Sequence, residues 1–467
     1  MSTPIAPFRR FVSGPRTGAL LLGGLLLGAV SLGAVSLDTL LDAAGPRSSA
    51  QPAPPSVAPQ LEPPALRALT EPEALCLASV PAAARLEPAL ARAQATVRSR
   101  PERPESWLML GQAWLRQAQR SSDSGYALNA DACAEQALSL APEDAGALVL
   151  RARVRLDAHD FERARELLQS VLERNPEHAA ALGTLSDAAL ELGDVPTASA
   201  AAQRLMDLDP GLPAYARASY LRWLHGQEQA AIELARLAID AAGDPDERDT
   251  RAWTLVQAAQ LFWQRGDYAG ARAGYHMALA VRPSYAPALL GMGKVALSEA
   301  DLGAAAEAFS RAFAAHPSVE AAALLGDALT QQGDVEAAAQ SYARAEQLGR
   351  FDPRSLSYFY STRDREPAAA LELALRESRT RGDLYTEDAL AWALYRNGRL
   401  AEAERHSARS LAFGTRDAQL SFHRGAILLA LGQRSAGRAL LARSLQQNPH
   451  FDLIGAAEAR RLLGRSA

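Results

Sequence analysis

Apolar and small residues recur along this chain in blocks of 34 residues. Each block has a bulky residue, a small residue, and then Ala with an aromatic or aliphatic residue. Pro142, Pro176 and Pro210 lie 34 residues apart, and Pro283 and Pro317 have the same spacing. Proline removes a backbone donor and clashes with the preceding turn, so each of these residues is expected to end a helix. A 34-residue period is typical of a helix-turn-helix solenoid.

The most specific motif opens the array, as Trp107-x2-Leu110-Gly111-x2-Trp114. Later copies share a Gly, an Ala, an aromatic ring and a second Ala: Gly266-Ala271-Tyr275-Ala278-Pro283, Gly293-Ala305-Phe309-Ala312-Pro317 and Gly326-Gly333-Ala338-Tyr342-Ala345. Together these motifs resemble the tetratricopeptide repeat family, whose pattern is W-x2-L-G-x2-Y, with Trp in the Tyr position of the first copy. The resemblance covers nearly everything after residue 100.

The resemblance implies an all-α fold, a helix-turn-helix solenoid wound as a right-handed superhelix of about nine or ten helix pairs. An Ala- and Leu-rich composition also favours helix. In such a solenoid each repeat is expected to contact only its neighbours, and function is expected to reside on an extended surface.

The N-terminus carries a separate signal. Arg9, Arg10 and Arg16 precede an uncharged apolar run at 17–37, and about 20 apolar residues span a bilayer as a helix. By the positive-inside rule, the N-terminus then lies in the cytoplasm and the repeats lie across the membrane. The same run also fits a secretory signal peptide. We therefore predict a bacterial inner-membrane, single-pass protein with its repeats in the periplasm, or a protein secreted to the periplasm after signal cleavage.

Composition divides the chain into seven predicted segments. The segment after the apolar run is rich in Pro, Ala, Ser and Gln, so it neither pairs in a sheet nor continues a helix. The segments are a basic N-terminus at 1–16, a transmembrane anchor or signal peptide at 17–37, a Pro/Ala-rich linker at 38–65, leading capping helices at 66–102, tetratricopeptide repeats at 103–350, C-terminal repeats at 351–451, and a C-terminal capping helix at 452–467.

The chain has two cysteines, Cys76 and Cys133. In an exported domain an isolated pair can form a structural disulfide. The alternative is that both are separate small core residues, because Cys behaves as a hydrophobe. The sequence leaves both interpretations open.

Charge and motifs argue against several classes of function. The net charge is -4 and the pI about 6.1, which is not the footprint of a nucleic-acid-binding protein. No two of the eight histidines are spaced i, i+4, so a helical zinc motif is absent. Gly291-Met292-Gly293-Lys294 lacks the Ser or Thr of a phosphate loop. We therefore predict a non-enzyme with no cofactor, no metal, no nucleic acid and no small-molecule substrate.

The resemblance points to a binding surface. In this family the first helix of each pair lines a concave groove, where a protein or peptide partner would bind. By the repeat register, the groove positions include Tyr220, Trp223, Gln257, Gln260, Trp263, Gln264 and Lys294. Exposed aromatic side chains beside amides are typical of partner anchors. The alternative is that both Trp residues pack between helices.

Two further positions extend this predicted groove toward the N-terminus, namely Arg153 and Asp187. Some members of the family hold a chaperone carboxylate with a Lys, Asn and Arg clamp. The corresponding residues here are Leu108, Gln112, Val149, Arg153, Gly183 and Asp187. They do not reproduce the clamp. The sequence thus predicts a non-enzymatic scaffold of the cell envelope, or a soluble periplasmic component of a secretion, polysaccharide or envelope-assembly machine.

Overall fold

The computed structural model describes residues 70–79, 88–121, 125–242 and 248–464, and these ranges form helices and no strand. The helices are α1 (Glu71–Cys76), α2 (Pro88–Ser99), α3 (Pro104–Ser121), α4 (Gly125–Leu140), α5 (Ala145–Asp157), α6 (Phe161–Arg174), α7 (Ala179–Glu191), α8 (Val195–Leu208), α9 (Leu212–Leu224), α10 (Glu228–Ala241), α11 (Arg248–Gln264), α12 (Tyr268–Val281), α13 (Ala286–Ser298), α14 (Leu302–Ala315), α15 (Val319–Gln332), α16 (Val335–Leu348), α17 (Pro353–Thr362), α18 (Pro367–Glu377), α19 (Leu384–Arg396), α20 (Leu400–Ser410), α21 (Ala418–Ala430), α22 (Arg434–Gln447) and α23 (Leu453–Leu462). The predicted all-helical solenoid is confirmed for the described residues.

Within these ranges the helices pair into ten antiparallel hairpins, numbered here as repeats 1 to 10. Repeat 1 is α3 with α4, and repeat 10 is α21 with α22. The second helix of each repeat packs on the first helix of the next. The apolar core is accordingly a row of clusters rather than one centre. At the ends, α2 packs on α3, and α23 packs on α21 and α22.

The turn inside each hairpin has a simple local cause. The first helix ends at a residue with positive φ, which is Gly in most repeats, as at Gly193 and Gly266. Asp commonly follows and caps the second helix, as Asp194 and Asp267 do by accepting from backbone N–H groups. Glycine adopts this φ without a Cβ clash, and Asp satisfies an otherwise unpaired donor.

Close packing within a hairpin depends on the small residue of the motif. A Cβ added at Gly293 would lie 2.3 Å from the ring of Phe309, and one at Gly326 would lie 2.3 Å from the ring of Tyr342. The aromatic ring of the second helix therefore packs against the bare backbone of the first helix. This close approach accounts for the small residue that recurs at this position of the motif.

The N-terminal end is joined by a disulfide. Cys76 at the end of α1 is bonded to Cys133 of α4, and their Cα atoms lie 5.0 Å apart. The Trp114 indole N–H donates to the Cys76 carbonyl oxygen over 2.7 Å. The disulfide and this hydrogen bond together hold α1 against repeat 1.

The expectation that each repeat contacts only its neighbours is wrong. Loops that follow the last three repeats contact the turns of repeats 3 to 5, about two fifths of the chain away. Arg381 forms an ion pair with Glu191. The Thr415 hydroxyl donates a hydrogen bond to the Leu224 carbonyl oxygen, and the Asn448 side-chain amide donates one to the Trp263 carbonyl oxygen. These contacts join residues 190, 191 and 185 positions apart. The array therefore curves until its two halves meet.

The predicted segments at 1–16, 17–37 and 38–65 lie outside the described residues. Within the part of the chain that is described, no helix combines the length and apolar character needed to cross a bilayer.

Candidate partner-binding surface

The first helices of the repeats form one side of the array. Neighbouring first helices contact one another directly in most repeats, such as α5 with α7 and α7 with α9. Extensive contacts of this kind are not formed between neighbouring second helices of the described chain. The first helices therefore lie on the inner, more tightly curved side. We call the surface that they form the inner face.

The two tryptophans predicted for the groove are buried. Trp223 and Trp263 are each 4% exposed. Trp223 stacks on Tyr220 with ring centroids 5.8 Å apart, and Trp263 lies 5.3 Å from the ring of Tyr268. Both indoles contribute to apolar clusters. Their packing corresponds to the alternative left open by the sequence, in which both lie between helices.

Tyr220 lies where the two halves of the array meet. The same cluster contains Tyr385 and Phe413 from the C-terminal repeats. Burial raises the pKa of Tyr220 well above its usual range, and the nearby carboxylates of Asp383 and Glu191 raise it further. Carboxylates from opposite halves of the chain thus act on one phenol, and this part of the inner face is covered by the protein itself.

Gln264 belongs to the same covered region. Its side-chain amide donates to Asp417 over 3.0 Å. Asp417 caps α21 by accepting from the backbone N–H groups of Gln419 and Leu420. The repeat register placed Gln264 in the groove. In the structure its hydrogen bond to Asp417 joins repeat 5 to repeat 10.

The other three predicted groove residues lie on the inner side of repeats 5 and 6. Gln260 accepts from the Tyr275 hydroxyl over 3.0 Å. Lys294 pairs with Glu320 of α15 over 2.7 Å, and both side chains are partly exposed. The Gln257 oxygen Oε1 is buried and accepts no hydrogen bond from the described part of the chain. All of these partners lie in the same repeat or the next.

Arg153 and Asp187 are buried in the inner face. Asp187 accepts two hydrogen bonds from Arg217, over 2.8 Å to Nε and 2.6 Å to Nη2. Arg217 also donates to the Gly183 carbonyl oxygen. Desolvation raises the pKa of Asp187, and the charge of Arg217 opposes that shift. Burial lowers the pKa of Arg153 to about 10. Asp187 and Arg217 therefore form a structural ion pair within the array.

A polar cluster in the C-terminal repeats was not predicted. His423 Nδ1 lies 2.7 Å from the Asp388 carboxylate, which also accepts from the Tyr358 hydroxyl over 2.8 Å. The Trp392 ring stacks on His423. His423 and Asp388 are almost fully buried, so a substrate has no access to them. The cluster links α17, α19 and α21. No sequence motif marks it, because its members come from three separate repeats.

Metal coordination has no candidate in the described ranges. No group of three or more His, Cys, Asp or Glu side chains there is arranged to hold an ion.

Comparison with known proteins gives one family match. A tetratricopeptide repeat family model matches residues 149–213, 256–312 and 290–353. No curated protein matches the chain. The matched residues lie in repeats 2 to 8.

Several solved structures show low similarity to this chain. A tetratricopeptide repeat protein from Parabacteroides merdae is 18% identical over 55% of this chain and 91% of its own, with a TM-score of 0.37. PilF from Pseudomonas aeruginosa is 16% identical over 48% and 99%, with a TM-score of 0.38. The human IFIT1 dimer with m7Gppp-AAAA is 12% identical over 76% and 84%, with a TM-score of 0.45. That the present chain binds no nucleic acid stays a prediction. The family match and the stacked hairpins support a tetratricopeptide repeat array in this chain.

Proposed function

We propose that this protein is a non-enzymatic scaffold of the bacterial cell envelope that binds a protein or extended peptide on its inner face. Repeat solenoids act through extended surfaces of this kind. The alternative function is that of a signal-cleaved, soluble periplasmic component of a secretion, polysaccharide or envelope-assembly machine. Both assign the same surface to the partner, and they differ in whether the chain stays anchored in the membrane or is released from it.

One observation carries the choice of surface. Gln257 Oε1 is a buried acceptor with no hydrogen bond within the described chain, and such a group costs about 1–3 kcal/mol. Lys294 lies on the neighbouring first helix with its ammonium partly exposed beside Glu320. A peptide lying across α11 and α13 would supply a carbonyl or carboxylate to Lys294, and the partly exposed Gln257 side chain would turn its unpaired amide oxygen toward a backbone N–H of the peptide. The partner is therefore proposed to contact repeats 5 and 6.

The chain offers a selective probe of this surface, because Lys294 is its only lysine. Amine-reactive crosslinking in detergent-solubilised envelope should join the partner to Lys294, apart from any product at the N-terminal amine. With that partner purified, a Gln257→Ala, Lys294→Ala double variant should bind about 30-fold more weakly, equivalent to a hot-spot loss of about 2 kcal/mol. Titration calorimetry measures the change.

The control is Arg163→Ala on the outer helix α6, where Arg163 forms an exposed pair with Glu166. It should leave affinity unchanged. Equal affinity of the double variant and the wild type would reject repeats 5 and 6 as the binding surface.

The envelope location has its own test. Alkaline phosphatase joined after Leu66 should be active, because that enzyme requires export and the positive charges precede the apolar run. The disulfide between Cys76 and Cys133 suits the same oxidising compartment. An inactive phosphatase together with an active cytoplasmic reporter at this joint would reject the location. Sequencing the N-terminus of the mature protein then distinguishes anchor from cleaved signal.

A further inference from the structure

The contact between the two halves of the array follows a regular pattern. Three consecutive first helices, α7, α9 and α11, each end with a carbonyl oxygen that receives a donor from a C-terminal loop. Gly382 N–H donates to Glu191 O over 2.9 Å. The Thr415 hydroxyl donates to Leu224 O over 2.6 Å. The third contact joins the Asn448 amide to Trp263 O over 2.8 Å. Carbonyls at helix C-termini lack a partner within the helix, so these loops act as caps supplied from a distance.

Charged and aromatic side chains reinforce the same contact. Arg381 pairs with Glu191 over 2.6 Å. The Tyr268 hydroxyl donates to Asn448 over 2.7 Å. The rings of His225 and Phe413 meet edge to face at 5.6 Å. Repeats 3, 4 and 5 thus each contact one of the loops that follow α18, α20 and α22.

The backbones approach closely where they cross. A Cβ added at Gly382 would lie 2.6 Å from the Leu192 carbonyl oxygen, and one at Gly193 would lie 2.3 Å from the Gly382 oxygen. Both obstacles are backbone atoms, which cannot rotate away. Glycine at these positions therefore permits the two halves to touch.

The hydrogen bonds of the contact involve loops and helix ends rather than the interfaces within hairpins, and its apolar part adds the first residues of α19, Leu384 and Tyr385. Its donors come from the loops after α18, α20 and α22, and its acceptors lie at helix ends. It can therefore separate without unpacking any hairpin. Repeats 6 and 7 connect the two halves through neighbour-to-neighbour packing.

We propose that this contact is a latch on the inner face. When closed, it covers the face around Tyr220 with the protein's own Leu384, Tyr385 and Phe413. When open, it presents that face to a protein segment that offers an aromatic side chain and hydrogen-bond donors, as the C-terminal repeats do. The inference rests on the proposed function, because it assumes that a protein binds the inner face. It adds that binding competes with an internal contact.

The test places a bulky side chain in the contact, and the protein that carries it is called the wedge variant. Gly382→Val puts a side chain against the Leu192 carbonyl, and the backbone of Gly382 is not in the positive-φ region. The matched control is Gly303→Val on α14, where an added Cβ meets only Asp301 Oδ1 at 3.6 Å. Both full-length variants are measured by circular dichroism, small-angle X-ray scattering and amide hydrogen exchange.

The latch predicts that the wedge variant keeps its helical circular dichroism and gains radius of gyration. Its amides at the turns of repeats 3 to 5 should exchange about tenfold faster or more than in the wild type. The rate of Tyr220 nitration by tetranitromethane should rise by a similar factor. The Gly303→Val control should match the wild type in both measurements. A tenfold change corresponds to about 1.4 kcal/mol. These readouts need no partner, so they distinguish failure of the latch from failure of the proposed function.

Two results would overturn the latch. One is an unchanged scattering profile and exchange pattern in the wedge variant. The other is faster exchange in every repeat with loss of helical signal, because the contact would then be part of the fold. If Gly382→Val does not fold, Thr415→Val decides by the same measurements, since it removes only the hydroxyl that caps Leu224.

Discussion

Replacing Trp263 with alanine is expected to lower the free energy of unfolding by about 3–5 kcal/mol. The indole is 4% exposed and packs with Leu255, Tyr275 and Val295 between α11, α12 and α13. Alanine would remove that apolar surface from the core and leave a cavity that the fixed helices cannot fill. Urea denaturation followed by circular dichroism measures the loss.

A matched truncation on the surface shows what burial contributes. Leu128 is 67% exposed, so Leu128→Ala should change stability by no more than about 0.5 kcal/mol. If Trp263→Ala were as stable as Leu128→Ala, the indole would not be a core residue, and its role as an exposed anchor would have to be reconsidered.

Replacing Asp187 with alanine should cost a similar amount, about 3–5 kcal/mol, because it leaves the charge of Arg217 buried without its partner. Both side chains are 4% exposed, and the guanidinium holds the carboxylate through two hydrogen bonds. The remaining carbonyl partners of Arg217 carry no compensating charge. The midpoint of urea denaturation reports the loss.

Two comparisons isolate the buried charge as the cause. Glu166→Ala breaks an ion pair whose side chains are each 59% exposed, so it should cost no more than about 1 kcal/mol. The double variant Asp187→Leu, Arg217→Met removes both charges and should recover most of the loss. A double variant as unstable as Asp187→Ala would show that lost packing, rather than the unpaired charge, is responsible.

Much of the fold was predictable from local chemistry. Pro176 and Pro210 lie in the loops that follow second helices, and Gly293 lies where the ring of Phe309 packs. These prolines and glycines recur with the repeat period because the two helices of each repeat end and pack in the same way. The register also placed Lys294 on the first helix of repeat 6, which the structure confirms. Its ion pair with Glu320 of the next repeat was not part of that prediction.

The contacts that cover the inner face were not predictable in this way. Periodicity describes a residue's neighbours within one repeat and the next, whereas Glu191 and Arg381 are 190 residues apart. Whether such distant residues meet depends on small rotations that accumulate over several repeats. The same limit applies to Trp223, whose register position fits either a groove anchor or the packing between helices that is observed.

The order of synthesis gives the distant contact a further consequence. Glu191 leaves the ribosome 190 residues before Arg381, which at roughly 5–20 residues per second is about 10–40 s. During that interval α7 and α9 can form and stack while the loops that cap them have not yet been made. The inner face of repeats 3 and 4 is therefore uncovered in every newly made chain, whatever the equilibrium of the finished protein.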